Sequence, residues 1–184
     1  MRGEVQRQRI GVIGAGIVGS SIAYHLARRG AEVTVFEQNR PGAGATSDSF
    51  AWINATFDKQ PRTYYELNRR GMRGYRALVE TIEGLEVDWG GTVEWVADAT
   101  RADRLLEQIA SHRSWGYPVR AIGSDELGTL EPALIPGPVA AAVHCADEGS
   151  VDPVAATQAF LAAARAAGAD LECPCKVVDI ERRG

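Results

Sequence analysis

The sequence predicts an α/β protein: a βαβ unit at the front, a stretch of short strands around one helix, then a return to α/β alternation. Three observations carry that reading. An apolar strand-like run, Ile10–Ile13, ends at once on Gly14 and is followed by a helical pattern. A β-branched and aromatic run, Glu32–Glu37, comes directly after that helix. Near the end, Asp152-Pro153 opens an alanine-rich helix that leads into another strand-like segment.

Each element follows from its residues. The spacing predicts a helix over 17–28, with Ile22, Ala23 and Leu26 on its apolar face. Arg28 and Arg29 suit the negative end of its dipole, and Gly30 stops it. Strand, helix and strand in so few residues require a crossover connection and a parallel pair. After a Gly/Ser/Thr-rich loop, residues 62–83 read as a long helix. One stripe holds Tyr64, Leu67, Gly71, Tyr75, Leu78 and Ile82, and another holds Arg62, Glu66, Arg69, Arg73, Arg76 and Glu80. The arginine row reads as a solvated face with i,i+4 pairs rather than a ligand row.

From Leu85 to Cys145 the pattern shifts to short strands at 92–96, 119–122 and 139–145 around a helix at 102–115. Pro132, Pro136 and Pro138 break the chain between the last two strands. The closing helix runs from Pro153 to Gly168, and a strand is expected over 170–180. The expected organisation is a first segment 1–84, an inserted but incomplete α+β domain 85–148, and a return segment 149–184.

Bulk properties narrow the function classes. The chain has 184 residues, 45% apolar and 24% charged, the balance of a globular protein. A net charge of −4 argues against general nucleic-acid binding, which needs a basic face. Three cysteines cannot complete a disulfide framework, and no apolar run is long enough for a signal peptide or membrane span. A cytoplasmic protein is expected. Oligomeric state is not legible.

The chemistry sits in Gly14-Ala15-Gly16-Ile17-Val18-Gly19, a G-x-G-x-x-G between a strand and a helix. Glu37 ends the next strand, 37 − 14 = 23 positions past the first glycine, which is the context that dinucleotide binding requires. Gly14 makes the turn, Gly16 lets backbone approach a pyrophosphate, and Gly19 lets the helix lie close to the sheet. N–H groups at the helix start hold the diphosphate, and Glu37 accepts ribose hydroxyls and repels a 2′-phosphate. A second small-residue stretch, Arg40-Pro-Gly42-Ala-Gly44-Ala-Thr46-Ser47, is either a flexible linker or a wrap around the pyrophosphate. Spacing alone does not choose between them.

Cys173-Pro-Cys175 lacks C-x-x-C spacing and a second pair, so no metal site is expected. His25, His112 and His144 have no partner that spacing identifies, and no catalytic residue is assigned. Of the tryptophans, Trp52 alone lies near the glycine-rich loop and is a candidate site wall.

The motif Gly14–Gly19, the Val-Phe-Glu37 strand end and the Gly-Ala-Gly-Ala-Thr-Ser47 stretch resemble the D-amino-acid oxidase superfamily, which includes glycine oxidase, monomeric sarcosine oxidase and D-amino-acid dehydrogenase. Asp147–Pro153 and Lys176–Glu181 resemble that superfamily's return to its cofactor domain. The resemblance implies a Rossmann-like fold of the glutathione-reductase type, with FAD lying extended along the sheet and non-covalent at this N-terminal segment. Thr46 and Ser47 match positions that usually contact the cofactor, Arg40 joins them, and Val177 matches a backbone contact to adenine. Some relatives attach FAD to a histidine just after the glycine-rich stretch; Asp48 stands at the comparable place. The implied reaction is oxidation of a small amine or amino acid. Family members are considerably longer, so this chain is expected to be a fragment, inactive by itself. The alternatives are a non-catalytic nucleotide-binding module and a dehydrogenase using NAD.

Overall fold

The computed structural model describes residues 7–56 and 59–182. Residues 1–6, 57–58 and 183–184 lie outside the described residues. The chain forms two compact units: one of residues up to Ala51 with Arg76–Glu86 and Val151 onward, the other of Trp52–Tyr75 and Val87–Ser150. Each is described by itself.

The first unit is built on a parallel three-stranded sheet in the order β1 (Arg9–Ile13), β2 (Glu32–Phe36), β8 (Asp170–Glu172). Arg9 pairs with Glu32 and Ile13 with Phe36, while Thr34 pairs with Asp170. The central strand carries the core: Val33 and Val35 are buried, each worth about 1.5–3 kcal/mol of transfer free energy. Helix α1 (Ile17–Ala27) packs against α5 (Pro153–Ala166). Small buried residues on both, Ala23 and Ala27 on one, Ala156 and Ala164 on the other, let the two backbones approach. Tyr24 then meets Phe160 edge to face at 5.9 Å. The N-terminus of α5 is capped as its sequence predicts: Asp152 accepts from Val154 N and Ala155 N, both at 2.8 Å, with Pro153 in the first turn.

The second unit holds an antiparallel sheet in the order β4 (Thr92–Val96), β6 (Ala141–Cys145), β5 (Val119–Ile122). Helix α3 (Ala99–Ser114) lies against it, with Leu105 and Ile109 buried. Asp98 caps α3 by accepting from Arg101 N at 2.9 Å. A two-residue ladder joins β3 (Trp52–Ile53) to β7 (Gly149–Ser150). A short helix α4 (Ser124–Leu130), not expected from sequence, buries Leu127 completely. Two leucines, Leu127 and Leu130, separated by Gly128 and Thr129, are too few to give a periodic signal.

Five expectations need correction. The unit boundaries fall at 51, 75, 86 and 150 rather than at 84 and 148. Most of helix α2 (Arg62–Leu78) belongs to the second unit, because Tyr65 packs among the rings of His112, Trp115 and Tyr117 at 5.0–5.7 Å. Consequently the buried positions of α2 are Tyr65 and Met72, while Tyr64 and Leu67, on the stripe expected to be buried, are 44% and 64% exposed. The helix also ends at Leu78, where Thr81 N turns back onto the Leu78 carbonyl at 3.0 Å. On α1, Ile22 faces outward, and Ser20, Ala23, Tyr24 and Ala27 form the buried side. Finally, the last strand stops at Glu172 instead of continuing to Ile180. Pro174 has no N–H to give a ladder, β2 has ended at Phe36, and Val178 and Ile180 are exposed.

Candidate functional site

The end of β1 and the start of α1 meet in the G-x-G-x-x-G turn. Gly14 sits at φ +95°, a conformation that favours glycine, and its N–H donates to the Phe36 carbonyl at 2.8 Å. A side chain on Gly19 would place Cβ 2.0 Å from the Gly14 carbonyl oxygen, so the third glycine is required for the helix to leave the turn at this angle. A Cβ on Gly16 would sit 2.9 Å from Thr46 Oγ1. The middle glycine is therefore needed by the protein's own hydroxyl as well as by any approaching phosphate.

That hydroxyl does specific work. Gly16, at the N-cap of α1, has no side chain to satisfy the first N–H groups of the helix. Thr46 Oγ1 accepts from Ile17 N at 3.1 Å in its place. Gly42 N donates to the Ala15 carbonyl at 2.9 Å, so the 40–46 stretch folds back over the glycine turn. The stretch is therefore tied to the glycine turn rather than standing free as a linker.

Glu37 closes the other side. It is 9% exposed, and its two carboxylate oxygens accept from Ala15 N and Asn39 N, each at 2.8 Å. Its backbone bridges neighbours: Glu37 N donates to the Glu172 carbonyl, and Cys175 N donates to the Glu37 carbonyl at 2.6 Å. Each carboxylate oxygen has further acceptor capacity for a hydroxyl. Beside it lies a cleft of about 180 Å³ lined by Ile13, Gly14, Phe36, Glu37, Gln38, Cys175 and Val177.

The structure thus gathers Gly14, Ala15, Gly16, Ile17, Gly19, Glu37 and Thr46 around one helix end, and brings Val177 to the adjoining cleft. Val18 points outward at the first turn, 69% exposed. Ser47 is exposed, with its hydroxyl donating to the Gly44 carbonyl at 2.9 Å, and Asp48 is exposed beside it. Arg40 does not line the Glu37 cleft; it borders a separate groove with Pro41, Leu161 and Leu171. Sequence reasoning missed Gln38 and Cys175 as lining residues. Their only signal was adjacency to Glu37 and to Val177. Cys173, dismissed as a metal ligand, donates its thiol to the Asn39 carbonyl at 3.1 Å. Trp52 lies in β3, paired with Ser150.

The second unit has its own polar centre, around Glu148, which is completely buried. Its carboxylate accepts from Ala55 N, Thr56 N, Thr56 Oγ1, Thr92 Oγ1 and Tyr117 Oη at 2.5–3.1 Å. Burial first, and then the charge of Glu148, push the Tyr117 hydroxyl well above the ordinary tyrosine range, so it stays a donor. The Cys145 thiol is likewise raised by burial, to about 11. His112 is buried and held below the ordinary histidine range by desolvation. Tyr117, through its bond to Glu148, and His112, through its ring contacts, tie the elements of this unit together.

A glycine oxidase from Bacillus licheniformis is 32% identical over 176 residues, covering 92% of this chain and 46% of the relative. An L-proline dehydrogenase structure from P. horikoshii superposes with a TM-score of 0.80 at 30% identity, covering 90% of this chain and 43% of that one. A glycine oxidase structure from Geobacillus kaustophilus gives 0.83 at 27% identity, covering 95% of this chain and 49% of that one. The chain therefore spans just under half the length of these relatives. Residues 9–184 match the model of one family along their whole extent, and the chain belongs to that family, the DAO family of FAD dependent oxidoreductases.

Proposed function

We propose that the first unit is a Rossmann-like, glutathione-reductase-type FAD-binding fold, and that the second is an α+β domain inserted into it for substrate. The reading rests on one observation above all. Three separate segments, the glycine turn, Glu37 and Thr46, converge on the N-terminus of α1, with Ala15 N and Ile17 N tied to side chains. The first N–H groups of a helix have no intrahelical partner, so those of Val18 and Gly19 face an incoming acceptor together with the positive end of the dipole. A diphosphate fits that chemistry.

Gly14–Gly19 would hold the pyrophosphate of FAD, Glu37 would accept from the ribose hydroxyls, and Val177 would wall the adenine in the 180 Å³ cleft. Thr46 would act by holding Ile17 N, and Ser47 through its exposed hydroxyl. Arg40, which borders a neighbouring groove, would meet the cofactor outside that cleft. Asp48 offers no imidazole, so no covalent attachment would form at this point of the chain. When bound, FAD supplies the acceptor for a hydride from the C–H next to an amine nitrogen, and the imine left on the substrate is hydrolysed by water. The substrate class is a small amine or amino acid, as the names of the relatives indicate for those proteins. The three free thiols fit a reducing cytoplasm.

On this reading the described residues would cradle the ADP half of FAD, and no general base is assigned among them. The 184 residues taken alone should therefore bind the cofactor without turning over an amine. The test is to titrate FAD and NAD separately into the purified chain, following flavin fluorescence and calorimetric heat, and then to assay glycine and proline. Saturable FAD binding without flavin reduction is expected. Preference for NAD would overturn the cofactor assignment, and substrate-dependent flavin reduction would overturn the inactivity of the chain alone.

A further inference from the structure

Helix α2 is strongly basic in an acidic protein. It carries Arg62, Arg69, Arg70, Arg73 and Arg76 against Glu66, 5 − 1 = +4, in a chain of net charge −4. One flank of the helix forms a groove of about 270 Å³ with Trp115 and Gly116, at the turn between α3 and β5. Two of the cations there are already engaged. Arg62 pairs with Glu66 at 3.0 Å, and Arg69 lies 3.6 Å from Asp147 with its guanidinium 4.7 Å over the Tyr117 ring. Arg70 and Arg73, one turn apart, have no carboxylate within ion-pair distance among the described residues. Nor does the end of α3 fully account for them. Its final carbonyls are taken by backbone donors: Trp115 N bonds to Ser111 and His112, Gly116 N to Arg113, and Tyr117 N to His112.

We propose that this groove binds a small multivalent oxyanion, with adjacent phosphate or carboxylate groups held between Arg70 and Arg73 beside the fixed Arg69. Guanidinium groups present forked donors matched to such oxygens, and Arg69 is already oriented by its ring and its acid. A groove of about 270 Å³ suits an anion the size of pyrophosphate or citrate better than a halide. Trp115 gives the groove one rigid wall. A long nucleic acid is a poor candidate, because the rest of the chain is acidic and would repel it.

The test is calorimetric titration of the chain with pyrophosphate, citrate and inorganic phosphate, at low and at high salt. Pyrophosphate or citrate should bind more tightly than phosphate, and binding should weaken as salt rises. Arg70→Gln and Arg73→Gln should each reduce affinity about tenfold or more, with the fold intact by circular dichroism, since both side chains are exposed. Tighter pyrophosphate identifies a phosphorylated ligand, and tighter citrate a polycarboxylate. Saturating FAD should leave the anion in place. Absence of binding by all three anions, unchanged affinity in the double variant, or displacement by FAD would each overturn the assignment.

Discussion

Thr46 caps a helix that begins 29 residues before it, its Oγ1 accepting from Ile17 N at 3.1 Å. A long-range cap of this kind makes the glycine turn and the loop after β2 one mechanical object. Thr46→Val keeps the shape and removes the acceptor. It should cost about 1 kcal/mol of stability, the usual worth of an N-cap, and weaken FAD about three- to tenfold as the helix start loosens. Thr46→Ser should retain most of both. Denaturant unfolding beside a flavin titration checks the pair, and wild-type values for Val would disprove the cap's role.

Glu37 has a double task, which makes its variants informative. Removing the side chain strips the partners of Ala15 N and Asn39 N. A buried donor left unsatisfied costs about 1–3 kcal/mol, so Glu37→Ala should lower stability measurably even without cofactor. FAD affinity should fall about ten- to a hundredfold. Glu37→Gln keeps one oxygen acceptor but turns an amide donor toward a backbone N–H, and should lie between. If Glu37→Ala altered affinity but not apoprotein stability, the two backbone contacts would be energetically idle.

How much of this was legible follows from the period of each signal. The βαβ front could be read because Gly14, Gly19 and Glu37 recur at a fixed spacing around one strand–helix–strand unit. The three strands of the second unit could also be placed, Val119–Ile122 to the residue. What could not be read depended on distant partners. The buried face of α2 is chosen by His112, Trp115 and Tyr117, some fifty positions away, so its periodicity pointed to Tyr64 and Leu67 instead of Tyr65 and Met72. Thr46 was matched as a cofactor neighbour, but its bond to Ile17 N has no local signature. Glu148 gave no signal at all, since an acid before Gly149 reads as an exposed turn until five donors are found around it.

Those donors predict an unusually sensitive position. Glu148→Ala would orphan Ala55 N, Thr56 N and the hydroxyls of Thr56, Thr92 and Tyr117 at once, all facing a carboxylate with no exposure. Such losses are not additive, but at least about 3 kcal/mol should go, enough to unfold a domain with a margin of about 5–15 kcal/mol under mild denaturant. Glu148→Gln should be milder, because the threonine hydroxyls can rotate to accept from its amide. Thermal or urea unfolding measures both. Equal and small losses would show that water readily replaces the network.

His112 predicts the direction of a pH effect. Its ring is buried among Tyr65, Trp115 and Tyr117, with Nδ1 2.9 Å from the Gln108 carbonyl. That contact places the proton on Nδ1 and leaves Nε2 without a partner. Protonating Nε2 would create a buried cation, and desolvation therefore lowers the pKa of the folded protein from 6.5, outweighing the opposing pull of the Gln108 carbonyl and Glu148. The sign follows from proton counting. Between the lowered folded value and about 6.5, the unfolded chain binds more protons than the folded one, so stability rises with pH across that window. It is complete above about 6.5 and declines as pH falls toward the folded value. Urea midpoints measured from pH 8 down to pH 5 should fall below about 6.5 in the wild type. His112→Phe removes the titrating group while keeping a ring of similar breadth in the cluster, so its midpoint should decline less over the same range. Parallel curves for the two proteins would mean that another group sets the acid sensitivity.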